Sequence, residues 1–169
     1  MDCVIVREID GNEKEYWNES VQTFEHVHPL NAFDWGKVRE IDGWKSFHLV
    51  AERSGRFCGA LLLLAKRLHF LPYSIFYSPK GPICRPDDRE SIEAIHGKVL
   101  ELAKKNKVIF LRIDPNIQEE ESDSFERIIS ELCITNEMDP CRSVAKRVVA
   151  FLSPSRTCGF AIELESPVI

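Results

Sequence analysis

The fold is decided by the stretch Tyr77-Ser-Pro-Lys-Gly-Pro82 and by the strand that leads up to it. The run Gly59-Ala-Leu-Leu-Leu-Leu-Ala65 is apolar on both alternating faces, which predicts a strand in the middle of a sheet that is covered on both sides. The two prolines of the stretch cannot donate to a sheet ladder, and the glycine between them can adopt backbone angles closed to other residues. We therefore expect the chain to leave the sheet here and to present Lys80 to solvent or to a ligand, although a rigid turn is the simpler interpretation.

The composition is that of a single globular domain. The chain has 169 residues, of which 44% are hydrophobic and 29% are charged, and this length suffices to bury one core. A net charge of −5 argues against a domain that binds bulk nucleic acid or an anionic membrane, but it leaves room for a local basic patch. No signal-peptide pattern opens the sequence, and no apolar run is long enough to span a bilayer. We expect a cytoplasmic protein with no stable membrane insertion and, because no Cys and His residues have ligand spacing, no metal.

The spacing of apolar residues changes between that of strands and that of helices, which indicates a mixed α/β (α+β) sheet. The first helix is expected to run from about Glu13 to His28, where Pro29 ends it, and Asn31 is expected to cap the second. Asp87 begins the clearest helix, with a capping-box pattern. The full prediction is strands at 3–9, 44–53, 57–68, 73–77, 108–113, 144–152 and 160–164, and helices at 13–28, at 32–41, from 87 and from 123.

Three blocks of the sequence resemble those of one protein family. Asn31-Ala-Phe-Asp-Trp-Gly-Lys-Val-Arg39, followed by Gly43-Trp44, resembles a W-G-x-V-K … G-W block. Tyr77 to Pro82 resembles a Y-x-P-R-G-P segment, and Phe110-Leu-Arg-Ile-Asp-Pro115 resembles an F-L-R-I-D-P strand end. These three blocks lie within residues 3–117, and their order and spacing resemble those of the Fem family (FemABX-type). The members of this family are the aminoacyltransferases that form peptidoglycan bridges.

The resemblance implies a GNAT-like acyltransferase fold, in which a central mixed sheet is flanked by helices. Members of the family move an amino acid from aminoacyl-tRNA to the peptide stem of a UDP-linked or lipid-linked muropeptide precursor. Aminoacyl-tRNA is then a co-substrate, and no cofactor is implied. An alternative on the same fold is an N-acetyltransferase that uses acetyl-CoA. The sequence lacks the glycine-rich pyrophosphate loop of that class, and the acidic stretch 116–121 would repel a pyrophosphate.

The family typically has two GNAT-like domains, and this chain is long enough for only the first. Residues 1–135 are assigned to that domain by resemblance, and residues 136–169 are interpreted as a diverged or truncated tail that could complete the sheet. Two other interpretations stay open. One is a non-catalytic remnant that binds the precursor or a partner domain. The other is half of a split protein, with a second GNAT-like domain on another chain.

Six residues are candidates for binding the precursor: Arg39, Lys37, Tyr77, Lys80, Arg112 and Asp114. Basic side chains are natural partners for a phosphate-rich precursor, and the resemblance associates the position of Arg39 with the precursor's diphosphate. The alternative for Arg39 is a solvated helix face, and the alternative for Lys80 is a plain turn. Arg112 and Asp114 are expected on one face of a strand end, as an ion pair or as part of a cleft floor. Aminoacyl transfer requires no nucleophilic side chain, and no catalytic residue is predicted.

Overall fold

The computed structural model describes residues 3–25, 27–117, 119–137, 145–152 and 158–164. Its helices are α1 (Lys14–Val21), α2 (Phe33–Ile41), α3 (Arg89–Lys105) and α4 (Glu119–Glu137). Its strands are β1 (Val4–Ile9), β2 (Lys45–Arg53), β3 (Arg56–Arg67), β4 (Ser74–Pro79), β5 (Ile83–Cys84), β6 (Val108–Asp114), β7 (Ala145–Leu152) and β8 (Cys158–Leu164). Two single turns of 3-10 helix, at Gly11–Glu13 and Pro29–Asn31, lead into α1 and α2.

These eight strands form one mixed sheet in the order β1-β2-β3-β4-β6-β8-β7, with the short β5 paired to β3. β4 and β6 are parallel neighbours, and α3 makes the crossover between them. The β2–β3 hairpin turns at Ser54 and Gly55, both with positive φ, as the sequence predicts. The mixed sheet flanked by helices is confirmed. The strands predicted near 144–152 and 160–164 are present as β7 and β8.

β3 carries the core on both of its faces, because successive side chains of a strand point in opposite directions. Leu61 and Leu63 pack in the cluster under α3 and α4. Leu62 and Leu64 pack in the cluster under α1 and α2, around the fully buried Trp17. The uninterrupted apolar run therefore has the central, doubly covered position that the sequence predicts.

Three helix ends differ from the sequence prediction. α1 ends at Val21, and in the turn that follows the Thr23 amide and hydroxyl both donate to the Ser20 carbonyl, at 3.1 and 2.7 Å. α3 is capped by Asp88 rather than Asp87, since the Asp88 carboxylate accepts from the Ser91 amide at 3.2 Å. α4 begins at residue 119 instead of 123, so the acidic run 119–121 lies in its first turn, where the helix dipole favours negative charge. Within the described ranges, no helix has both the length and the apolar character that a bilayer span requires.

Candidate functional site

The stretch 77–82 leaves the sheet only at Lys80, Gly81 and Pro82, and it does not present the Lys80 side chain to solvent as expected. Pro79 is still paired with Asp114 of β6. After residues 80–82, the chain forms β5, which pairs with β3. Lys80 takes a left-handed backbone with φ of 52°, and its side chain is only 14% exposed. The segment is thus a bulge between two pairings, and Lys80 points into the protein.

Asn31 holds this bulge in place. Its amide nitrogen donates to the carbonyl oxygens of Lys80 at 3.0 Å and Pro79 at 3.4 Å. Its side-chain oxygen accepts from the His28 amide at 2.9 Å, and its own carbonyl accepts from the Trp17 indole at 2.7 Å. The sequence predicts Asn31 as the cap of α2, and this prediction is wrong. That position belongs to Ala32, which makes no side-chain cap.

Replacing Asn31 with alanine is expected to lower the free energy of unfolding by about 2 to 3 kcal/mol, since it leaves buried backbone groups of the bulge without partners. Asn31 is 1% exposed, so water cannot replace the lost amide. Urea unfolding of the variant measures the loss. Asn12→Ala is the matched control, because Asn12 is an exposed asparagine whose side chain bonds to the Asp10 carboxylate two residues earlier. Equal stability of the two variants would contradict this role of Asn31.

Lys80 forms an ion pair with Asp114, in which Nζ lies 3.5 Å from Oδ2. The Asp114 side chain is 13% exposed, and its other carboxylate oxygen is buried without a hydrogen-bond partner among the residues described. Arg112 and Asp114 share one face, as predicted, and the cation that pairs with Asp114 among the described residues is Lys80. Arg112 lies over the ring of Tyr77, with 5.8 Å between the guanidinium carbon and the ring centroid.

Arg39 lies at the C-terminal end of α2 against Trp44. Its guanidinium carbon is 5.5 Å from the Trp44 ring centroid, and one of its nitrogens is 2.6 Å from the Asp42 carboxylate. The ammonium of Lys66 lies 5.5 Å from the same ring and donates to the Asp42 carbonyl at 3.0 Å. Trp44 is half-buried and contacts two cations. The sequence gives no signal that brings Lys66 to this place.

The charges of Arg112 and of Arg39 both act on the Tyr77 phenol. Burial raises the pKa of Tyr77, the Asp114 carboxylate raises it further, and the charges of Arg112 and Arg39 lower it. Both arginines therefore act on the same phenol, one from β6 and one from α2. We call Arg39, Lys66 and Arg112, together with the rings of Trp44 and Tyr77, the cationic strip.

The cationic strip lies on the part of the sheet that α1 and α2 leave open. On this face α2 packs on β2 and reaches β3, while farther along Arg112 is exposed and Phe110 keeps 38% exposure. Along β4 the order runs from Lys66, beside Ile75, to Arg112, beside Tyr77. Beyond the strip, the Lys80–Asp114 pair closes the strand ends. Three cations, Arg39, Lys66 and Arg112, thus lie along the described part of this face.

Lys37 does not join the strip. Two residues along a helix correspond to a rotation of roughly 200°, so Lys37 faces away from Arg39. Its ammonium lies 5.7 Å from the Phe33 ring centroid, and its charge acts on Asp34 and His48. Five of the six candidate residues are therefore near one another, and Lys37 stands apart.

A small cavity of about 140 Å³ lies beyond the carboxyl ends of β4 and β6, where parallel strands often bind ligands. It is lined by Phe24, Glu25, Lys80, residues 82–86, Asn116 and Ile117. Both helices that follow these strands begin with acidic residues, Asp88 and Glu90 at α3 and 119–121 at α4. Negative charge there opposes a pyrophosphate, which argues against acetyl-CoA. Within the described part of the chain, no cluster of three or more His, Cys, Asp or Glu residues could hold a metal ion.

Comparison with known proteins identifies the family. The model of the FemAB family matches residues 13–140, which is most of the chain. The chain belongs to the FemAB family. All six candidate residues lie inside the matched region. The family assignment by resemblance is confirmed.

The chain is similar to part of longer FemAB relatives. It is 27% identical over 105 residues to the lipid II:glycine glycyltransferase of Staphylococcus aureus strain bovine RF122 / ET3-1, and equally to that of strain USA300. Each match covers 60% of this chain and 25% of the relative. The chain therefore spans about a quarter of the length of these curated relatives.

Solved structures confirm the fold. The crystal structure of FemX has a TM-score of 0.69 and 21% identity, over 75% of this chain and 31% of FemX. A probable acetyltransferase from Staphylococcus epidermidis ATCC 12228 has a TM-score of 0.54 and 10% identity, over 98% of this chain and 99% of the other. The FemAB chain thus has the GNAT-like acyltransferase fold that the resemblance implies.

Proposed function

We propose that this chain is the precursor-binding domain of a peptidoglycan bridge aminoacyltransferase. In this reaction the amine of a muropeptide stem attacks the ester carbonyl of an aminoacyl-tRNA. A carbon–nitrogen bond forms, the ester carbon–oxygen bond breaks, and the amine proton is transferred as the ribose hydroxyl leaves. No covalent intermediate with the protein is needed, so the domain contributes binding and orientation.

The observation that carries the proposal is the placement of two guanidiniums over aromatic rings on one face of the sheet, Arg112 over Tyr77 and Arg39 over Trp44. A guanidinium can donate two parallel hydrogen bonds to a phosphate, and two guanidiniums on one strip suit a diphosphate. The rings of Trp44 and Tyr77 provide flat surfaces on which a nucleotide base or a sugar can pack. UDP-linked and lipid-linked precursors share the diphosphate, so both are candidate substrates. The name of the S. aureus relatives favours the lipid-linked form.

Lys80 and Asp114 have a different role in this proposal. Because they pair with each other and are largely buried, they fix the ends of β4 and β6 rather than contact the diphosphate. Their ion pair and the Asn31 hydrogen bonds keep the bulge beside the strip rigid. The substrate contacts are therefore assigned to Arg39, Arg112 and Tyr77, with Lys66 as an added cation.

Calorimetric titration with a UDP-linked muropeptide tests the proposal. Arg39→Gln together with Arg112→Gln is expected to weaken binding by about a hundredfold or more, since each charge-assisted hydrogen bond contributes about 1.5 to 3 kcal/mol. Lys37→Gln is the matched control on the same helix and is expected to bind like the native chain. If the native chain does not bind, or if the Lys37 variant is as weak as the double variant, the proposal is wrong.

A second candidate function is precursor binding without turnover. It requires only the binding groups of the cationic strip, Arg39 at Trp44 and Arg112 at Tyr77. In this case a second GNAT-like domain, on another chain, would supply the aminoacyl-tRNA site. A transfer assay with radiolabelled aminoacyl-tRNA and the UDP-linked muropeptide measures turnover directly, and transfer of label by this chain would exclude the second candidate. Tight binding of acetyl-CoA by calorimetry would instead support an acetyltransferase.

A further inference from the structure

We propose that the end of the domain formed by the β3–β4 loop docks on an anionic membrane surface. The loop exposes two large apolar side chains, Phe70 at 98% and Leu71 at 51%. A backbone bond from the Leu68 amide to the Tyr73 carbonyl, 2.9 Å long, closes its base. We call Phe70 and Leu71 the apolar tip. No contact among the described residues covers the Phe70 ring, since nearly all of it is exposed.

Basic residues surround the apolar tip because several element ends meet there. The Ser74 amide donates to the Lys107 carbonyl at 3.0 Å, which brings the end of α3 beside the start of β4. Strand pairing places the start of β2 next to the end of β3. The resulting basic rim consists of Lys45, Lys66, Arg67, Lys104, Lys105 and Lys107, of which all but Lys66 are exposed.

Acidic residues near this end do not cancel the rim. Asp42 and Glu40 lie at the end of α2, where Asp42 pairs with Arg39 and Glu40 accepts from the Ser46 hydroxyl at 2.6 Å. Between them Ile41 is 85% exposed and adds apolar surface. The Asp42 carbonyl is bonded to Lys66, so these residues border the same end. The basic rim is therefore local in a chain whose net charge is −5.

The chemistry of this end favours a lipid surface over a protein partner. Phenylalanine and leucine at a protruding tip can enter the boundary between headgroups and acyl chains, while lysines around them attract anionic headgroups. Protein interfaces, in contrast, are depleted in lysine. Because the rest of the chain is acidic, an anionic membrane would also orient the domain with this end toward it.

Docking in this orientation would bring the cationic strip close to the membrane. Lys66 belongs to both the basic rim and the strip, and the strip continues from it along β4. The docking inference does not rest on the proposed function, because it concerns lipid headgroups and is tested at side chains outside the strip, Phe70, Leu71, Lys104 and Lys105. If both hold, a lipid-linked precursor could reach Arg39 without leaving the bilayer.

Vesicle flotation tests the inference with the whole chain and without any precursor. The native chain is expected to float with vesicles that contain phosphatidylglycerol and to stay unbound with phosphatidylcholine alone. Phe70→Ser with Leu71→Ser is expected to weaken binding by about tenfold or more. Lys104→Gln with Lys105→Gln is expected to weaken it by about tenfold and to reduce its salt dependence. Circular dichroism checks that the variants are folded.

Matched controls come from the opposite end of the sheet. Ile5 is 65% exposed beside Glu52, so Ile5→Ser removes comparable apolar surface far from the loop. Arg56→Gln removes an exposed cation at the β2–β3 hairpin. Both should bind like the native chain. The inference is overturned if the native chain ignores phosphatidylglycerol or if the tip variants bind unchanged. Loss of a dimer in sedimentation velocity, with vesicle binding intact, would assign the tip to a protein contact instead.

Discussion

Replacing Lys80 with methionine is expected to lower the free energy of unfolding by about 3 kcal/mol, because it leaves the Asp114 carboxylate largely buried without a counter-charge. The two side chains are 14% and 13% exposed, and their charged atoms lie 3.5 Å apart. One Asp114 oxygen already lacks a hydrogen-bond partner among the described residues. Urea unfolding followed by tryptophan fluorescence measures the change.

Lys107→Met is the matched control for this prediction. Lys107 has the same left-handed backbone, with φ of 50° against 52° for Lys80, but it is exposed. Its replacement should change stability by no more than about 0.5 kcal/mol. Adding Asp114→Asn to the Lys80 variant should restore more than half of the loss, because the buried charge is removed. If the double variant is no more stable than the single one, the ion pair is not what holds the bulge.

Acidification is expected to lower the free energy of unfolding by roughly 6 kcal/mol between about pH 6.5 and pH 4 through two buried histidines. Burial lowers the pKa of His48 and of His96 from 6.5 to about 4. The unfolded chain therefore binds protons below pH 6.5 that the folded chain does not bind until about pH 4. Stability from these groups is fully present above pH 6.5 and is lost as the pH falls, by roughly 3 kcal/mol for each histidine.

The two histidines differ in their surroundings, which gives a sharp variant. His48 bonds the Phe33 carbonyl at 3.0 Å through Nε2, whereas the Nε2 of His96 is buried beside a small apolar cavity and has no hydrogen-bond partner in the described part of the chain. His96→Leu should halve the acid loss and raise stability at neutral pH by about 1 kcal/mol. His69→Leu, at an exposed site in the β3–β4 loop, should change neither. Urea midpoints at several pH values decide the matter, and a pH-independent midpoint for the native chain would refute the prediction.

The sequence predicts well what depends on local pattern. β3 is doubly covered because its apolar residues do not alternate with polar ones, and the β2–β3 turn follows from Ser54 and Gly55. It predicts poorly what depends on distant partners. The bond from Asn31 to Lys80 spans 49 residues, and no periodicity reveals it. The end of α1 is a second example, since the apolar stripe continues past Val21 and does not mark it.

The candidate site shows the same division. Resemblance to the family singles out Arg39 and Arg112, but the register of β3 with β4 and the packing of α2 bring Lys66 and Trp44 beside them. Lys80 is the opposite case. Its residue type suggests a ligand contact, whereas the strand ends give it a buried carboxylate as partner. The net charge of −5 is a similar case, because it is a sum over the whole chain. It argues against binding to an anionic membrane, but it does not show that the basic rim lies at one end.

The cationic strip is tested most directly by the three tryptophan indole signals in a ¹H–¹⁵N spectrum of the labelled chain. On titration with a UDP-linked muropeptide, the Trp44 signal should shift together with the amides around Arg39, Tyr77 and Arg112. The Trp17 signal should stay fixed, since Trp17 lies on the buried face of α1 and is fully buried. Shifts confined to the N-terminus of α3 or to the β3–β4 loop, with Trp44 unmoved, would contradict the account.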